Sequence, residues 1–249
     1  MSEEKKIPLI IAHRGASAHA PENTLASFLL AVEHKADAIE LDAKLTADKE
    51  IVVIHDQTLD RTTNGMGRVK DKKLKEIKLL DAGFSYSPDF RGEKIPTLLE
   101  VFEAVGEKLM INVELTNYST PRDSLPDLVV ELVRKMKLED SILFSSFNPL
   151  NLMRVRRLMP EAKVAILASE GAAGSVSRSF IGKWFSPDYF HPHYQDVSRE
   201  LIEREHKAGR KVNVWTVDAP SEMQKLVQWK IDGIITDDPL LARHVVGEK

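Results

Sequence analysis

The sequence predicts a TIM (β/α)8 barrel, an α/β fold, with a small insertion after the second strand. Three observations support this prediction. The chain has 249 residues, close to the roughly 250 that are typical of such barrels. Short apolar runs alternate with longer amphipathic segments, and this alternation requires parallel strands because the chain must cross back before each new strand. No linker rich in Pro, Gly or Ser divides the chain, so residues 1–249 are predicted to form one domain.

Eight strands are predicted from short runs that are rich in Ile, Val, Leu and Phe. These runs are Leu9–Ala12, Ala38–Asp42, Leu109–Leu115, Ser141–Phe144, Lys163–Ala168, Asp188–His191, Lys211–Val217 and Gly233–Thr236. A helix is predicted to follow each strand. The helices are expected to begin near Asn23, Thr97, Ser124, Pro149, Ala173, Ser198, Pro220 and Pro239.

One further apolar run, Glu50–Ile54, follows Asp42 too closely for a crossover helix, so a hairpin is predicted there. A turn at Asp48-Lys49 would bring His55 back to the rim that holds Asp42. The segment from about 57 to 96 contains four glycines and many charges. We expect it to be an insertion on the mouth of the barrel, because long loops in compact domains usually carry function.

The composition excludes several classes of protein. A net charge of −3 without a block of one sign argues against a nucleic acid partner, and the absence of cysteine excludes disulfides and thiolate metal sites. The polar start Met1–Lys6 holds no apolar segment of the length of a signal peptide or membrane span. We therefore expect a cytoplasmic protein without integral membrane association, as a monomer or small homo-oligomer.

Three carboxylates are predicted to meet at the carboxyl ends of neighbouring strands. Strand alternation points Glu40 and Asp42 to one face, and Glu114 ends the next barrel strand. Each acid alone is as easily a surface charge or an ion-pair partner. Three at one rim favour a site, and an oxygen-only ligand set suits a hard divalent cation, Mg²⁺ or Ca²⁺.

Two histidines are predicted to face the same cavity. His13 ends the first strand and His55 ends the return strand of the hairpin. A single histidine at a strand end is more often structural, but a pair beside a metal site is typical of a general acid and a general base. His191 and His193 have no such partner in the sequence and are predicted to be peripheral.

Motifs that span the whole chain resemble those of the glycerophosphodiester phosphodiesterase family, which belongs to the phosphatidylinositol-phospholipase-C-like barrels. They are His13-Arg14-Gly15, Pro21-Glu22-Asn23-Thr24, Glu40-Leu41-Asp42, His55-Asp56, Leu59 to Gly65 with Gly67, Ile95 to Leu98, Val113-Glu114, Ser145 to Asn148, Trp215-Thr216-Val217 and Asp232 to Asp237. The resemblance implies a barrel enzyme that cleaves glycerophosphodiesters, such as glycerophosphocholine or glycerophosphoethanolamine, to glycerol 3-phosphate and an alcohol.

The resemblance also implies a role for each matching residue. It implies metal binding by Glu40, Asp42 and Glu114, and acid/base catalysis by His13 and His55. It further implies that Arg14 holds the phosphate, while Trp215 is expected to form an apolar wall for the glycerol, with ordinary core packing as the alternative.

One position departs from the family pattern. Many members carry a lysine two residues after the third metal carboxylate, where this chain has Thr116. Several alternatives stay open at this point: which histidine is the acid, whether water or the glycerol hydroxyl attacks, and which of the two metals binds. A lysophospholipase D-type activity and a non-catalytic phosphodiester-binding barrel are the alternative functions.

Overall fold

Nine strands form one sheet in the computed structural model, which describes residues 7–171, 174 and 186–247. They are β1 Leu9–His13, β2 Ala38–Leu45, β3 Ile51–Val53, β4 Met110–Leu115, β5 Ile142–Ser146, β6 Lys163–Ala168, β7 Tyr189–Pro192, β8 Lys211–Val214 and β9 Gly233–Thr236. All strands except β3 pair in parallel, and pairing of β1 with both β2 and β9 closes them into an eight-stranded barrel. The predicted barrel is therefore confirmed, with β3 as an additional strand.

Helices follow the strands around the outside of the barrel. They are Leu25–Glu33, Leu98–Val105, Leu125–Met136, Pro149–Leu158, Arg199–Lys207, Pro220–Gln228 and Pro239–Val246. Each begins within two residues of its predicted start. Side-chain caps explain several of these starts, since Thr24, Thr97 and Ser198 each accept a backbone N–H of the first turn. The helix predicted near Ala173 lies outside the described residues.

The predicted hairpin joins β2 to β3. Ala43 pairs with Val53 and Leu45 pairs with Ile51 in antiparallel register. The turn between them contains Lys49 at a φ of 65°. One step beyond β3, the Ile54 N–H donates to the carbonyl of Asp42 at 2.9 Å. The hairpin therefore returns the chain to the level of Asp42 immediately before His55.

The segment 57–96 contains only short helical turns, Val69–Asp71, Leu74–Ile77 and Pro88–Phe90. Its buried apolar side chains form a cluster of their own, separate from the cluster that joins the strands to the outer helices. This second cluster consists of Val52, Ile54, Leu59, Val69, Ile77, Ala82 and Ile95. The insertion thus packs against the hairpin through its own small core.

None of the helices in the described part of the chain has both the length and the apolar character needed to cross a bilayer. The longest of them, Leu125–Met136, has 12 residues.

Candidate active site

A cluster of three carboxylates lies at the carboxyl ends of β2 and β4. Parallel register places Asp42 opposite Glu114, while alternation along β2 keeps Glu40 on the same face as Asp42. Glu40, Asp42 and Glu114 each offer an oxygen within 4.8 Å of the others, and the first two are almost fully buried. The sequence pattern and the barrel geometry therefore bring the three predicted acids together.

The cluster holds more negative charge than its surroundings offset. Burial raises the pKa of Glu40 well above its usual range, and the charges of Asp42 and Glu114 raise it further. Burial and the charge of Asp42 likewise raise the pKa of Glu114 to about 7. Burial is the largest single effect on Asp42 and disfavours its ionised form, but the surrounding positive charges, that of Arg14 foremost, together outweigh burial and lower the pKa of that carboxyl. A buried cluster of this kind is stabilised when a cation joins it.

His13 ends β1 and points toward the cluster. Its Nδ1 lies 2.6 Å from Oδ1 of Asp237, and its Nε2 lies 3.9 Å from Oε2 of Glu40. The same Asp237 oxygen accepts a hydrogen bond from the Ser17 hydroxyl at 3.0 Å. Asp237 therefore fixes one ring nitrogen of His13 and leaves the other turned toward the carboxylates.

His55 follows the hairpin and has a carboxylate partner as well. Its Nδ1 lies 2.7 Å from Oδ1 of Asp56, and Arg61 Nε donates to the other oxygen of Asp56 at 2.7 Å. The hydrogen bond from Arg61 lowers the pKa of Asp56 to about 2, so Asp56 stays ionised beside the imidazole. The side chain of His55 is 43% exposed, against 16% for His13.

Arg14 links the first loop to the carboxylates. Its backbone N–H donates to Oε2 of Glu40 at 3.1 Å, its Nη1 donates to Glu22 at 3.0 Å, and its Nε lies 3.4 Å from Asp42. Arg14 has a φ of 56° and is followed by Gly15 at 85°, where an added Cβ would lie 2.4 Å from the Ser27 hydroxyl. Glycine is therefore required at position 15 by both its backbone angle and the lack of space.

Two cavities meet at His13 and Arg14. The barrel lobe, of about 190 Å³, is lined in addition by Glu40, His55, Asn112, Glu114, Phe147, Leu167, Trp215 and Ile235. The insertion lobe, of about 230 Å³, is lined in addition by Ser17, Pro21, Glu22, Arg61, Thr62, Ala82, Ser85, Tyr86 and Asp237. The insertion thus forms one wall of the mouth.

Trp215 lies in the barrel lobe and belongs to a row of aromatic rings. Its ring centroid lies 5.7 Å from that of Phe147, which lies 5.9 Å from that of Tyr118, both with edge-to-face geometry. The indole N–H of Trp215 donates to the carbonyl of His191 at 2.9 Å, and the Tyr118 hydroxyl donates to Glu114 at 2.6 Å. The row runs from the carboxylate cluster to the apolar side of the cavity.

The parallel register that pairs Asp42 with Glu114 places Lys44 opposite Thr116, two residues further along the chain in each case. Lys44 lies in β2, and Thr116 follows the last residue of β4. Lys44 is 4% exposed, and its Nζ donates to the Thr116 hydroxyl at 2.6 Å and to the Thr116 carbonyl at 3.2 Å. Burial lowers the pKa of Lys44, although Asp42 and Glu114 oppose this effect. The threonine that departs from the family pattern therefore holds a buried lysine from the neighbouring strand.

His191 lies in the barrel interior and is not among the residues that line the two cavities. It is fully buried, and its Nε2 lies 3.1 Å from the Asn213 side-chain nitrogen, so the amide donates to a neutral ring. Burial lowers its pKa to about 3. Its neighbour His193 packs against Trp215 with ring centroids 5.2 Å apart.

The site also contains residues to which the sequence assigned no role, among them Asp56, Asp237, Lys44 and Tyr118. Asp56 and Asp237 belong to the motifs quoted above, but their pairing with histidines depends on rotamers and on the closure of β9 onto β1. For Lys44 a signal did exist, because it continues the alternation of Glu40 and Asp42 on the inner face of β2.

A profile of the glycerophosphoryl diester phosphodiesterase family matches residues 13–241. A glycerophosphodiester phosphodiesterase of Caldanaerobacter subterraneus subsp. tengcongensis is 42% identical over 232 residues, which are 93% of this chain and 94% of that protein. The crystal structure of a glycerophosphodiester phosphodiesterase from Agrobacterium tumefaciens superposes with a TM-score of 0.83 at 30% identity, covering 95% and 99% of the two chains. The structure of an Oleispira antarctica phosphodiesterase in complex with the product sn-glycerol-3-phosphate gives 0.87 at 31% identity, covering 96% and 97%.

Proposed function

The chain belongs to the glycerophosphoryl diester phosphodiesterase family and is an enzyme that hydrolyses glycerophosphodiesters, and we propose that it does so with a divalent cation and two histidines. The proposed substrates are glycerophosphocholine, glycerophosphoethanolamine and similar diesters, and the products are glycerol 3-phosphate and an alcohol. The product bound to the Oleispira relative supports this assignment. We further propose that residues 1–249 form one cytoplasmic barrel domain with an insertion at about 57–96.

One observation carries the proposal: His13, His55 and the carboxylates Glu40 and Glu114 line the same cavity. The barrel lobe has room for a small phosphodiester arm, and Arg14 stands where the two lobes meet. A diester whose phosphate lies at this junction has one arm in each lobe. We propose that the glycerol occupies the barrel lobe, against Trp215, and that the leaving alcohol occupies the insertion lobe.

Glu40, Asp42 and Glu114 would hold the cation. Their spacing and oxygen-only chemistry fit Mg²⁺ or Ca²⁺, and the raised pKa values of Glu40 and Glu114 indicate negative charge that a cation would offset. When bound, a divalent cation stabilises the charge that develops on the phosphate oxygens.

The two histidines would move the protons. Each has a carboxylate on Nδ1, Asp237 for His13 and Asp56 for His55, and such a partner fixes the tautomer that leaves Nε2 free for the substrate. One histidine would take the proton of the attacking oxygen, and the other would give a proton to the leaving alcohol. Arg14 would hold the phosphate by its charge, although it already binds Glu22.

A second candidate substrate follows from the apolar side of the barrel lobe. Phe147, Leu167, Trp215 and Ile235 line this side, and they would also contact a longer apolar substituent on the glycerol. Lysophosphatidylcholine is therefore the comparison substrate, and its cleavage in preference to glycerophosphocholine would favour a lysophospholipase D-type activity.

Release of glycerol 3-phosphate from glycerophosphocholine, measured with and without a chelator, tests the proposal. We expect activity that is lost with the chelator and restored by excess Mg²⁺ or Ca²⁺. His13→Ala and His55→Ala are each expected to reduce kcat by about 100-fold or more while the melting temperature stays within a few degrees. Full activity in the presence of the chelator would contradict a role for the cation in the reaction. Near-full activity of either variant would contradict acid/base catalysis by the histidine that was replaced.

A further inference from the structure

The buried lysine beside the carboxylate cluster has no place in the mechanism as described. Lys44 is 4% exposed, and a buried ammonium is costly unless nearby groups compensate for it. Its two hydrogen bonds both go to one residue, Thr116, and neither acceptor is charged. Hydrogen bonds to Thr116 hold the ammonium in place, but they do not balance its charge.

The negative charge that balances Lys44 lies in the candidate site. Asp42 is two residues earlier on the same face of β2, and Glu114 is two residues before Thr116 on the neighbouring strand. Asp42 and Glu114 are the acids that act most strongly on Lys44. The ammonium is therefore a fixed positive charge of the same cluster that would hold the cation.

The formal charges of the loaded site show what this ammonium would balance. Three carboxylates carry three negative charges, of which a divalent cation offsets two, and the third falls to Arg14, whose guanidinium would also have to hold the phosphate. Arg61 donates to both oxygens of Glu22 and to both oxygens of Asp56, so its single charge is already shared between two carboxylates. The single negative charge of a bound phosphodiester would then be unbalanced without a further cation in the site.

We infer that Lys44, anchored by Thr116, supplies the positive charge that offsets the bound phosphodiester. The inference rests on the proposed function and adds a residue to it. Lys44 acts through its charge on phosphate binding, and Thr116 is the positioning residue that holds its Nζ. Position 116 supplies a hydroxyl and a carbonyl, and the paired position on β2 supplies the ammonium.

This role makes two opposite predictions for Lys44→Met, which keeps most of the side-chain volume. Loss of the ammonium should weaken the binding of glycerol 3-phosphate by about tenfold or more, since the Coulombic attraction between the ammonium and the phosphate is lost. The same loss should tighten the binding of Ca²⁺ to chelator-treated protein, because a positive charge next to the carboxylates has gone. Isothermal titration calorimetry measures both affinities.

The exchange variant Lys44→Thr with Thr116→Lys is the sharper test. It returns the ammonium to the same place from the neighbouring strand, so glycerol 3-phosphate affinity should recover to within about threefold of the wild type, whereas Lys44→Thr alone should remain weak. Lys163→Met, at the exposed start of β6, is the matched control and should change neither affinity.

If Lys44 has only a structural role, Lys44→Met should weaken the binding of both glycerol 3-phosphate and Ca²⁺, and the exchange variant should not regain affinity for glycerol 3-phosphate. Either result would overturn the inference. So would unchanged affinities in Lys44→Met. Failure of the proposed function is separate, since it would appear as the absence of glycerol 3-phosphate release by the wild-type enzyme. A Lys44→Met variant that does not fold leaves the exchange variant and Lys44→Thr to decide.

Discussion

The two ends of the barrel use carboxylates in opposite ways. At the amino-terminal ends of the strands, three aspartates precede β2, β7 and β9, and each accepts a backbone N–H of a neighbouring strand and contacts a basic side chain. The sets are Asp37 with Ile10 N and Arg243, Asp188 with Val164 N and Arg156, and Asp232 with Val212 N and His206. At the carboxyl ends, Glu40, Asp42 and Glu114 face one another.

Carboxylates thus have their charge met within the fold at one end, and at the other end they form the cluster that is proposed to bind a cation. An aspartate that closes the hydrogen bonds of an adjacent strand and meets a cation has its charge satisfied within the fold. Carboxylates that share one small volume raise the free energy of the empty site, which is recovered only when a ligand binds. Substitutions should therefore have opposite effects on stability and activity at the two ends.

The largest effect is expected at the carboxyl end. Glu114→Gln should reduce the release of glycerol 3-phosphate by about 1,000-fold, because the proposed cation would lose a ligand. In the presence of a chelator the same variant should melt at a higher temperature than the wild type, since one of three clustered charges is gone. Calorimetry in the presence of a chelator measures the melting temperature, and an assay with Ca²⁺ or Mg²⁺ measures the release of glycerol 3-phosphate. A lower melting temperature would show that the cluster contributes to stability after all.

The opposite result is expected at the amino-terminal end. Asp188→Asn should lower the free energy of unfolding by about 2 kcal/mol, because the Arg156 guanidinium and the Val164 N–H lose a charged acceptor. We expect kcat to stay unchanged, since the site lies at the other end of the barrel. Chemical denaturation and steady-state kinetics measure both quantities, and a large fall in kcat at full folding would contradict the division between the ends.

The pH dependence of stability should report the barrel interior between the two ends. His191 has a pKa of about 3 when folded and about 6.5 when unfolded, so the unfolded chain binds the extra proton between these values. Stability should therefore fall as the pH falls below 6.5, by about 2 kcal/mol at pH 5 from this residue alone. His191→Gln should flatten this part of the curve, and an unchanged curve would mean that the ring is charged or exposed.

The smallest effect separates the hydrogen bond from the ion pair that the Asp188 side chain makes. Arg156→Met leaves the hydrogen bond from Val164 to Asp188 in place and removes only the partly exposed ion pair. We expect a loss of about 0.5 kcal/mol in the free energy of unfolding. A loss as large as that of Asp188→Asn would assign the stabilisation to the ion pair and not to the backbone hydrogen bond.

Much of the fold follows from the sequence because period and spacing determine it. The apolar runs define the strands, the capping residues Thr24, Thr97 and Ser198 define helix starts, and eight residues between Asp42 and Ile51 leave room only for a hairpin. The proximity of Glu40, Asp42 and Glu114 could also be predicted, since it needs only strand alternation and parallel register.

Other parts of the site depend on side-chain packing that no local pattern specifies. The pairing of His13 with Asp237 joins residues 224 positions apart and requires β9 to close onto β1. The bridge from Arg61 to Glu22 requires the insertion to fold back on the first loop. Lys44 followed the pattern of β2, but its contact with Thr116 became visible only in the folded barrel.

The separate apolar cluster of the insertion has a consequence for how such an enzyme can diversify. Val69, Ile77 and Ala82 support the loop that carries Ser85 and Tyr86 to the mouth, and they belong to a cluster distinct from the barrel core. Sequence change in this segment can remodel the cavity that is proposed to hold the leaving alcohol, while the carboxylates, the histidines and the barrel strands stay unchanged. Substrate specificity can therefore change without a change in the residues proposed for catalysis. Residues 57–96 are the segment to exchange in order to alter the preferred head group.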